Sequence, residues 1–233
     1  MNKPILYGLT KNKLVKIPLA VLTVLSLLGG SAYVYAASTS ELTQAINPGT
    51  LSVDIVDGSY VSVATPSFTM SAVPFSFDCQ TSSGAFGSAT QQIYVKNPDA
   101  ADNGWTMSIA GSAPTASWTS GALNFDFNDS TTAGCGDGAD ADSYKGQMTI
   151  DASGATLAKG TCTTCNTTNI SKGSSASFVE GTTDSITLLN AAAGSDDIGD
   201  WTLRNVSVSQ KIPGEQPAAN DYKINLTLTI TAS

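Results

Sequence analysis

Four cysteines are the residues of this chain whose chemistry follows most directly from their type and number. All four come after an N-terminal segment typical of an export signal, and exported cysteines form disulfides in an oxidising compartment. Three pairings are open. We favour Cys162 with Cys165 as a local clasp, and Cys79 with Cys135 as a tie between an insertion and the core. A zinc site would need a second paired motif or a histidine, and the chain has no histidine.

A second group of residues with potential chemistry is a cluster of aspartates in a glycine-rich segment. Asp137 lies in the run Gly-Cys-Gly-Asp-Gly, and Asp140 and Asp142 follow it closely. Calcium is bound by six to eight oxygen atoms from carboxylates, carbonyls and water, and loops of this kind supply them. A calcium site formed by these three carboxylates is therefore one interpretation. A solvated acidic loop that keeps the surface soluble is the other.

The chain offers little for catalysis. The absence of histidine excludes Ser-His-Asp and Cys-His arrangements. A glycoside hydrolase would need two carboxylates, such as Asp126 with Asp151, but nothing in the sequence distinguishes these from ordinary exposed aspartates. A non-enzymatic protein is therefore predicted.

The three tryptophans are expected to differ in exposure. Trp118 lies in a segment rich in Pro and Ser, and we expect it to be exposed and available to stack on a ligand such as a sugar. Trp105 and Trp201 lie on the apolar faces of predicted strands, so we expect both to be buried in the core.

The first 36 residues have the pattern of a secretory signal peptide. Four lysines precede an apolar run from Leu19 to Leu28, and this part of the chain has no acidic residue. The small-residue site Val34-Tyr35-Ala36 follows the run. The run is too short for a comfortable membrane span, and an uncleaved N-terminal anchor is the alternative. Cleavage after Ala36 would leave residues 37–233 as a secreted protein, extracellular or on the cell surface, with no further membrane span.

The exported chain is acidic and has the pattern of a single β domain. Removing the four lysines of the signal leaves seven basic residues against 19 acidic ones, a net charge of −12, which disfavours binding to nucleic acid. Many short segments alternate between apolar and polar residues, and turn residues separate them. We predict an all-β fold, an antiparallel β-sandwich over residues 37–233, with a long decorated insertion at about 128–185 where the alternation weakens.

The clearest predicted strand is the last one, from Tyr222 to Ile230. Its apolar and polar residues alternate strictly, so one face suits a core and the other suits water. We predict an integral strand of the sandwich with three core residues, Ile224, Leu226 and Leu228. Before this strand, Trp201 and Leu203 share one face, and Val206 and Val208 also alternate with a period of two but out of phase with Leu203. This change of phase predicts a bulge near Arg204-Asn205.

Two short motifs resemble the WxL domain of bacterial surface proteins. Trp201 and Leu203 form a Trp-x-Leu triplet that precedes the C-terminal strand, and Trp105 with Met107 forms a similar triplet in which Met replaces Leu. The segment Leu42–Val53 is of a kind seen at the start of such domains. The resemblance implies a surface protein that is held non-covalently on the cell envelope, with peptidoglycan as its partner.

Two other functions are compatible with the same features. The first is a subunit of an extracellular fibre, which would associate with itself or with other surface proteins by β-strand addition at an open sheet edge. The second is a calcium-dependent glycan-binding module that uses the aspartate cluster. Sedimentation with cell walls, polymerisation of the purified protein and sensitivity to a chelator distinguish the three.

Overall fold

The computed structural model of the chain describes residues 43–99, 103–129, 134–138, 141–195 and 198–233. These residues form β-strands and loops without a helix, which confirms the predicted all-β class. It follows that no described helix meets the length and hydropathy needed to cross a membrane. The predicted signal peptide, residues 1–36, lies outside the described ranges, as does Asp140.

Fourteen strands are present in the described part of the chain. In order they are β1 (Ser52–Val56), β2 (Gln80–Phe86), β3 (Gln92–Asn97), β4 (Trp105–Gly111), β5 (Trp118–Ser120), β6 (Leu123–Phe125), β7 (Gln147–Asp151), β8 (Thr156–Lys159), β9 (Ile170–Lys172), β10 (Ala176–Ser177), β11 (Ser185–Ala191), β12 (Gly199–Arg204), β13 (Val206–Ile212) and β14 (Leu226–Ala232).

The strands form three four-stranded antiparallel sheets and one two-stranded ribbon. Sheet A has the order β1-β3-β12-β8, sheet B has β10-β7-β13-β2, and sheet C has β14-β4-β11-β9, while β5 pairs with β6 in the ribbon. The order β3-β12-β8 in sheet A corresponds to β2-β13-β7 in sheet B, and each pair of equivalent strands is consecutive in the chain. Sheets A and B are therefore two arms of one bent sheet.

The bend lies at the position where a bulge was predicted. Asn205 separates β12 from β13 and has a φ of 59°, in the left-handed region that Asn tolerates better than most residues. Its backbone N–H donates to the carbonyl oxygen of Gly87 at 2.8 Å, in the connection between β2 and β3. This hydrogen bond joins the junction between β12 and β13 to the connection between β2 and β3, the two places where the chain passes from one arm of the sheet to the other.

The core lies where sheet A faces sheet C. Trp105 of β4 and Trp201 of β12 are both fully buried, and their ring centroids are 5.6 Å apart. The indole Nε1 of Trp201 donates to the backbone oxygen of Asn166 at 2.7 Å, so the buried N–H is satisfied. Met107 and Leu203 are buried as well. The prediction that both tryptophans are core residues is confirmed.

The segment from about 128 to 185 contributes short strands to the main sheets. Strand β7 lies between β10 and β13 in sheet B, and its Met148 and Ile150 are fully buried. Strand β8 forms the edge of sheet A. The weak alternation of this segment reflects strands of only two to five residues, which are too short to show a period.

The last strand differs from its prediction in extent and in burial. It spans Leu226–Ala232 rather than beginning at Tyr222, because Lys223 instead forms a bridge with Thr119 of β5. The side chains of Ile224, Leu226 and Leu228 pack against the core but are only half-buried. The reason is that β14 is an edge strand of sheet C and pairs with β4 on one side.

Candidate functional site

A cleft of about 540 Å³ is the candidate binding site of the described part of the chain. Two segments without strands line it, residues 68–76 and residues 213, 216–220 and 222, together with side chains of the ribbon β5–β6 and of sheet B. Ligand sites in proteins commonly have volumes of 300–1,000 Å³ and are mostly apolar with a few polar groups. The size of this cleft is therefore suitable for a small ligand or for part of a polymer.

Trp118 forms part of the wall and is held on two sides. Its indole stacks on the ring of Phe125, with centroids 5.6 Å apart and planes within 9°. Its Nε1 donates to Oε1 of Gln210 at 2.9 Å. Gln210 is itself buried, and its Nε2 donates to the backbone oxygens of Asp126 and Lys211, both at 2.8 Å.

The structure thus corrects the expectation that Trp118 is exposed. The side chain is half-buried, because a neighbouring aromatic ring covers one face and a buried amide holds its N–H. Its position in the cleft wall is nevertheless compatible with contact to a ligand. A ring that is already fixed loses little conformational entropy when a ligand stacks on it.

A second aromatic residue of the cleft, Tyr222, is fixed in a similar way. Its ring meets Phe125 edge to face, with centroids 5.0 Å apart. Its hydroxyl accepts a hydrogen bond from Nε2 of Gln216 at 2.7 Å and donates to the backbone oxygen of Pro217 at 2.9 Å. Trp118, Phe125 and Tyr222 therefore form a continuous, ordered aromatic cluster, which we call the aromatic wall.

The cleft is neutral. Among the described residues that line it, none carries a charge, and the polar ones are Gln, Asn, Ser and Thr. One of these, Gln80, has a buried Oε1 for which the described residues provide no hydrogen-bond partner. Leaving a buried acceptor unsatisfied costs about 1–3 kcal/mol, so a donor that reaches this wall would be favoured. These features suit an uncharged ligand with hydroxyl or amide groups.

The predicted calcium ligands are not brought together by the described residues. Asp137 and Asp142 are both exposed, and Oδ1 of Asp142 accepts from the backbone N–H of Tyr144 at 2.7 Å. Neither belongs to a group of three ligating side chains within the described ranges. Because Asp140 lies outside those ranges, a calcium site in this loop stays a prediction.

The loop that carries Asp137 is anchored from within. Asp129 is buried, and its Oδ1 accepts from the backbone N–H of Gly138 at 2.9 Å. A disulfide joins Cys135 to Cys79, with 5.9 Å between the two Cα atoms. The favoured pairing of these two cysteines is therefore present, and it connects the loop to the start of β2.

The second disulfide, between Cys162 and Cys165, lies beside a buried carboxylate that the sequence reasoning missed. The carboxylate of Asp200 accepts four hydrogen bonds. Its Oδ2 accepts from the hydroxyl of Tyr94 at 2.7 Å and from the backbone N–H and hydroxyl of Thr161 at 2.6 and 2.9 Å, and its Oδ1 accepts from the backbone N–H of Cys162 at 2.7 Å.

These contacts shift the pKa values of two groups in opposite directions. Burial and the hydrogen bond to Asp200 raise the pKa of Tyr94 to about 12. Burial alone would raise the pKa of Asp200, but the hydrogen bonds from Thr161, Tyr94 and Cys162 outweigh it and hold that pKa below its usual 3.8. The sulfur atoms and the carboxylate lie within 4.8 Å of one another. Since the sulfurs are joined to each other, we interpret this group as a structural clasp at the end of β12.

The carboxylate pair considered for glycoside hydrolysis has structural partners. Asp126 is buried, and its Oδ1 accepts from the backbone N–H of Phe127 at 2.5 Å, which corrects the expectation that it is exposed. Asp151 accepts from both the hydroxyl and the backbone N–H of Ser153, and these hydrogen bonds lower its pKa. A general acid in this chemistry requires a raised pKa, so Asp151 is not suited to that role.

Comparison with protein-family models, with curated proteins and with solved structures finds no match to this chain. The candidate site is therefore defined by its geometry. Sequence reasoning identified Trp118 but missed Phe125, Gln210 and Tyr222, which are brought to it by the ribbon, by β13 and by the segment before β14. A signal that could have pointed to Phe125 is its position seven residues after Trp118, on the other side of Gly121.

Proposed function

We propose that this protein is a non-enzymatic binding protein of the cell surface, and that the aromatic wall holds an uncharged glycan of the cell envelope. The observation that carries the proposal is the fixed ring of Trp118, which stacks on Phe125 and is hydrogen-bonded to the buried Gln210 in the wall of a neutral cleft. Sugar rings have apolar faces and polar edges, and both features have counterparts in this cleft.

The electrostatics of the chain support a neutral ligand. The whole sequence has a formal net charge of −8, and the exported part is more acidic because the signal carries only lysines. Anionic wall polymers would be repelled at long range unless cations bridge them. An N-acetylated sugar chain carries no such penalty, and its amide and hydroxyl groups can pair with the glutamine and serine side chains of the cleft.

The location of the protein is supported by three further features. The N-terminal 36 residues have the pattern of an export signal, and the two disulfides are compatible with an extracellular protein. The resemblance to WxL domains favours the cell envelope as the place where the protein acts. The same resemblance favours peptidoglycan as the polymer, and its uncharged N-acetylglucosamine units are the part that suits a neutral cleft.

The experiment that tests this proposal is co-sedimentation of residues 37–233 with isolated cell envelopes. Trp118→Ala removes the stacking surface, and Trp118→Phe keeps a ring but loses the hydrogen bond to Gln210. Tyr60→Ala is the matched control, because Tyr60 is also half-buried and packs on an aromatic ring, that of Tyr94, at a centroid distance of 5.5 Å outside the cleft.

We expect the wild type and Tyr60→Ala to sediment with the envelopes, Trp118→Ala to stay in the supernatant, and Trp118→Phe to be intermediate. Equal sedimentation of Trp118→Ala and wild type, with unchanged melting temperatures, would contradict the proposal. A parallel series with a calcium chelator addresses the alternative of a calcium-dependent module, which predicts that binding is lost when the chelator is added.

A further inference from the structure

Two phenylalanines lie exposed side by side next to the cleft. Phe75 is 54% exposed and Phe77 is 77% exposed, and their rings meet edge to face with centroids 5.4 Å apart. We call these two residues the phenylalanine pair. Phenylalanine is among the residues most often found fully buried, and adjacent exposed apolar side chains commonly mark a contact site. The pair therefore requires an explanation other than the packing of the core.

The pair continues the surface of the cleft. Phe75 belongs to the cleft lining together with its neighbours Pro74 and Ser76, whereas Phe77 is not part of that lining. The edge-to-face contact thus extends one apolar surface from the cleft to a ring outside it. A molecule that leaves the cleft on the side of Phe75 would contact Phe77.

The backbone that carries the pair is fixed at several points. The carbonyl oxygen of Ser76 accepts from the backbone N–H of Glu215 at 2.8 Å. Gly214 lies so close to the carbonyl oxygen of Phe77 that no side chain would fit at position 214 without a displacement. The disulfide-bonded Cys79 follows two residues after Phe77. A surface fixed in this way loses little conformational entropy when a ligand binds.

The charges beside the pair favour an uncharged partner. Asp78 follows Phe77 directly, and Glu215 is hydrogen-bonded to Ser76 between the two phenylalanines. Both acidic residues are exposed. Their carboxylates would repel the negatively charged headgroups of a lipid surface. An uncharged ligand carries no such penalty, which is the same property that the neutral cleft requires.

The area of the pair favours a narrow ligand over a folded protein. Aromatic side chains bury about 150–250 Å² each, so two of them offer at most roughly 500 Å². A stable protein interface buries about 800 Å² on each partner. The cleft beside the pair is concave, as sites for small ligands are. A chain of small units that occupies the cleft and then the pair is compatible with both surfaces.

We propose that the phenylalanine pair is a second stacking platform for the same glycan, so that the site binds several consecutive units of an uncharged sugar chain. One unit would lie on the aromatic wall and a later unit on the ring of Phe77, while Phe75 belongs to both surfaces. The inference rests on the proposed function, because it extends the site that Trp118 defines. It adds a dependence on chain length, which the proposed function alone does not require.

The contribution of the second platform is large enough to measure. A contact worth as much as one between two aromatic rings changes a dissociation constant about two- to twelvefold. An oligomer long enough to reach Phe77 should therefore bind about two- to twelvefold more tightly than one that occupies the cleft alone.

The test measures dissociation constants of the exported chain, residues 37–233, by calorimetry with oligomers of N-acetylglucosamine from the disaccharide to the hexasaccharide. Phe77→Ala removes the outer ring, and Phe77→Tyr keeps a ring at that position. Val61→Ala is the control, because Val61 is an apolar residue that is 61% exposed and lies outside the cleft lining. Trp118→Ala reports on the aromatic wall.

We expect the dissociation constants of the wild type and of Val61→Ala to fall with chain length until the oligomer reaches Phe77. In Phe77→Ala this gain should be smaller by about two- to twelvefold for the longest oligomer, and Phe77→Tyr should retain it. The melting temperature of Phe77→Ala should equal that of the wild type, because the ring is mostly exposed. A purely structural role would instead lower that melting temperature and leave the dependence on chain length intact.

Three results would overturn the inference while the proposed function stands. The first is a wild-type affinity that does not depend on chain length, and the second is the same dependence in Phe77→Ala as in the wild type. The third is sedimentation with phosphatidylcholine vesicles that Phe77→Ala abolishes, which would assign the pair to a lipid surface. The proposed function fails by a different result, a wild type that binds no oligomer or a Trp118→Ala that binds every oligomer equally well, and the inference then fails with it.

Discussion

The replacement Trp201→Ala tests whether the Trp-x-Leu motif is structural or forms a binding surface. Trp201 is fully buried, packs on Trp105 across the two sheets, and donates its indole N–H to the backbone oxygen of Asn166. Truncating a buried tryptophan to alanine costs about 3–5 kcal/mol. Leaving the Asn166 carbonyl without its donor adds a cost of about 1–3 kcal/mol unless water reaches it.

These magnitudes are large compared with the whole stability of a domain, which is about 5–15 kcal/mol. In a domain of this size, 1 kcal/mol shifts the melting temperature by about 2–4 °C. A loss of about 3–5 kcal/mol therefore predicts a decrease of roughly 6–20 °C, or failure to fold. The assay is thermal unfolding of residues 37–233 followed by circular dichroism under non-reducing conditions.

Two further variants separate the contributions. Trp201→Phe keeps an aromatic ring against Trp105 and removes the hydrogen bond to Asn166, so we expect a smaller loss of about 1–3 kcal/mol. In a double-mutant cycle with Trp105→Ala, the coupling of the two rings should be about 0.5–1.5 kcal/mol. A melting temperature of Trp201→Ala within about 2 °C of the wild type would correspond to a loss of no more than about 1 kcal/mol. That result would refute the burial of Trp201.

Three other perturbations test separate parts of the fold. Replacing Cys79 and Cys135 by Ala should lower the free energy of unfolding by about 4 kcal/mol, whereas replacing Cys162 and Cys165 should lower it by only about 2 kcal/mol. The difference arises because a longer loop loses more entropy when it is closed, and the sequence separations are 56 and 3. Chemical denaturation measures both losses, and mass spectrometry without reduction should find none of the four cysteines alkylated. Asp200→Asn should lower the melting temperature at pH 7, and the difference from the wild type should shrink as the pH falls below 3.8. The folded-state pKa of Asp200 is lower than its unfolded-state pKa, so the carboxylate stabilises the fold above the unfolded-state pKa, and this stability is lost when it is protonated. Equal differences at pH 7 and pH 3 would contradict the role of this carboxylate. Deleting residues 221–233 should prevent folding, since it exposes the edge of β4 along its full length; a folded, monomeric truncation by circular dichroism and sedimentation would show that β14 is dispensable.

The Asp200 cluster also predicts a loss of stability in alkali. The folded-state pKa of Tyr94 is about 12, above its ordinary value of 10.0, so the neutral phenol is favoured by the fold. The stability from this group is present below pH 10 and is lost as the pH rises through about 12. The stability of Tyr94→Phe should therefore decrease less between pH 9 and pH 12 than that of the wild type.

The parts of the fold that local periodicity controls could be predicted from sequence. Alternation with a period of two places Trp105 with Met107, and Trp201 with Leu203, on one face of a strand, whatever the topology. The change of phase after Leu203 likewise predicted the break at Asn205, because a single extra residue shifts every later side chain to the other face. Burial of these residues then follows from their apolar character.

The features that sequence could not provide depend on contacts between distant segments. Leu226 and Leu228 alternate as core residues would, but they are half-buried because β14 lies at an edge, and the position of a strand in its sheet has no local signal. Trp118 is half-buried because Gln210, 92 residues away, holds its N–H. Nothing in the local sequence marks Asp200, because its partner Tyr94 is 106 residues away.

The most direct measurement for the central claim is a fluorescence titration of residues 37–233 with soluble oligomers of N-acetylglucosamine, the uncharged sugar of the peptidoglycan strand. Trp105 and Trp201 are fully buried, whereas Trp118 is half-buried in the wall of the cleft, so a ligand there should change the emission of Trp118. We predict a saturable change in the wild type and in Tyr60→Ala, and none in Trp118→Ala. An absence of binding to the wild type, or binding of equal affinity by Trp118→Ala in calorimetry, would contradict the assignment of the aromatic wall as a glycan site.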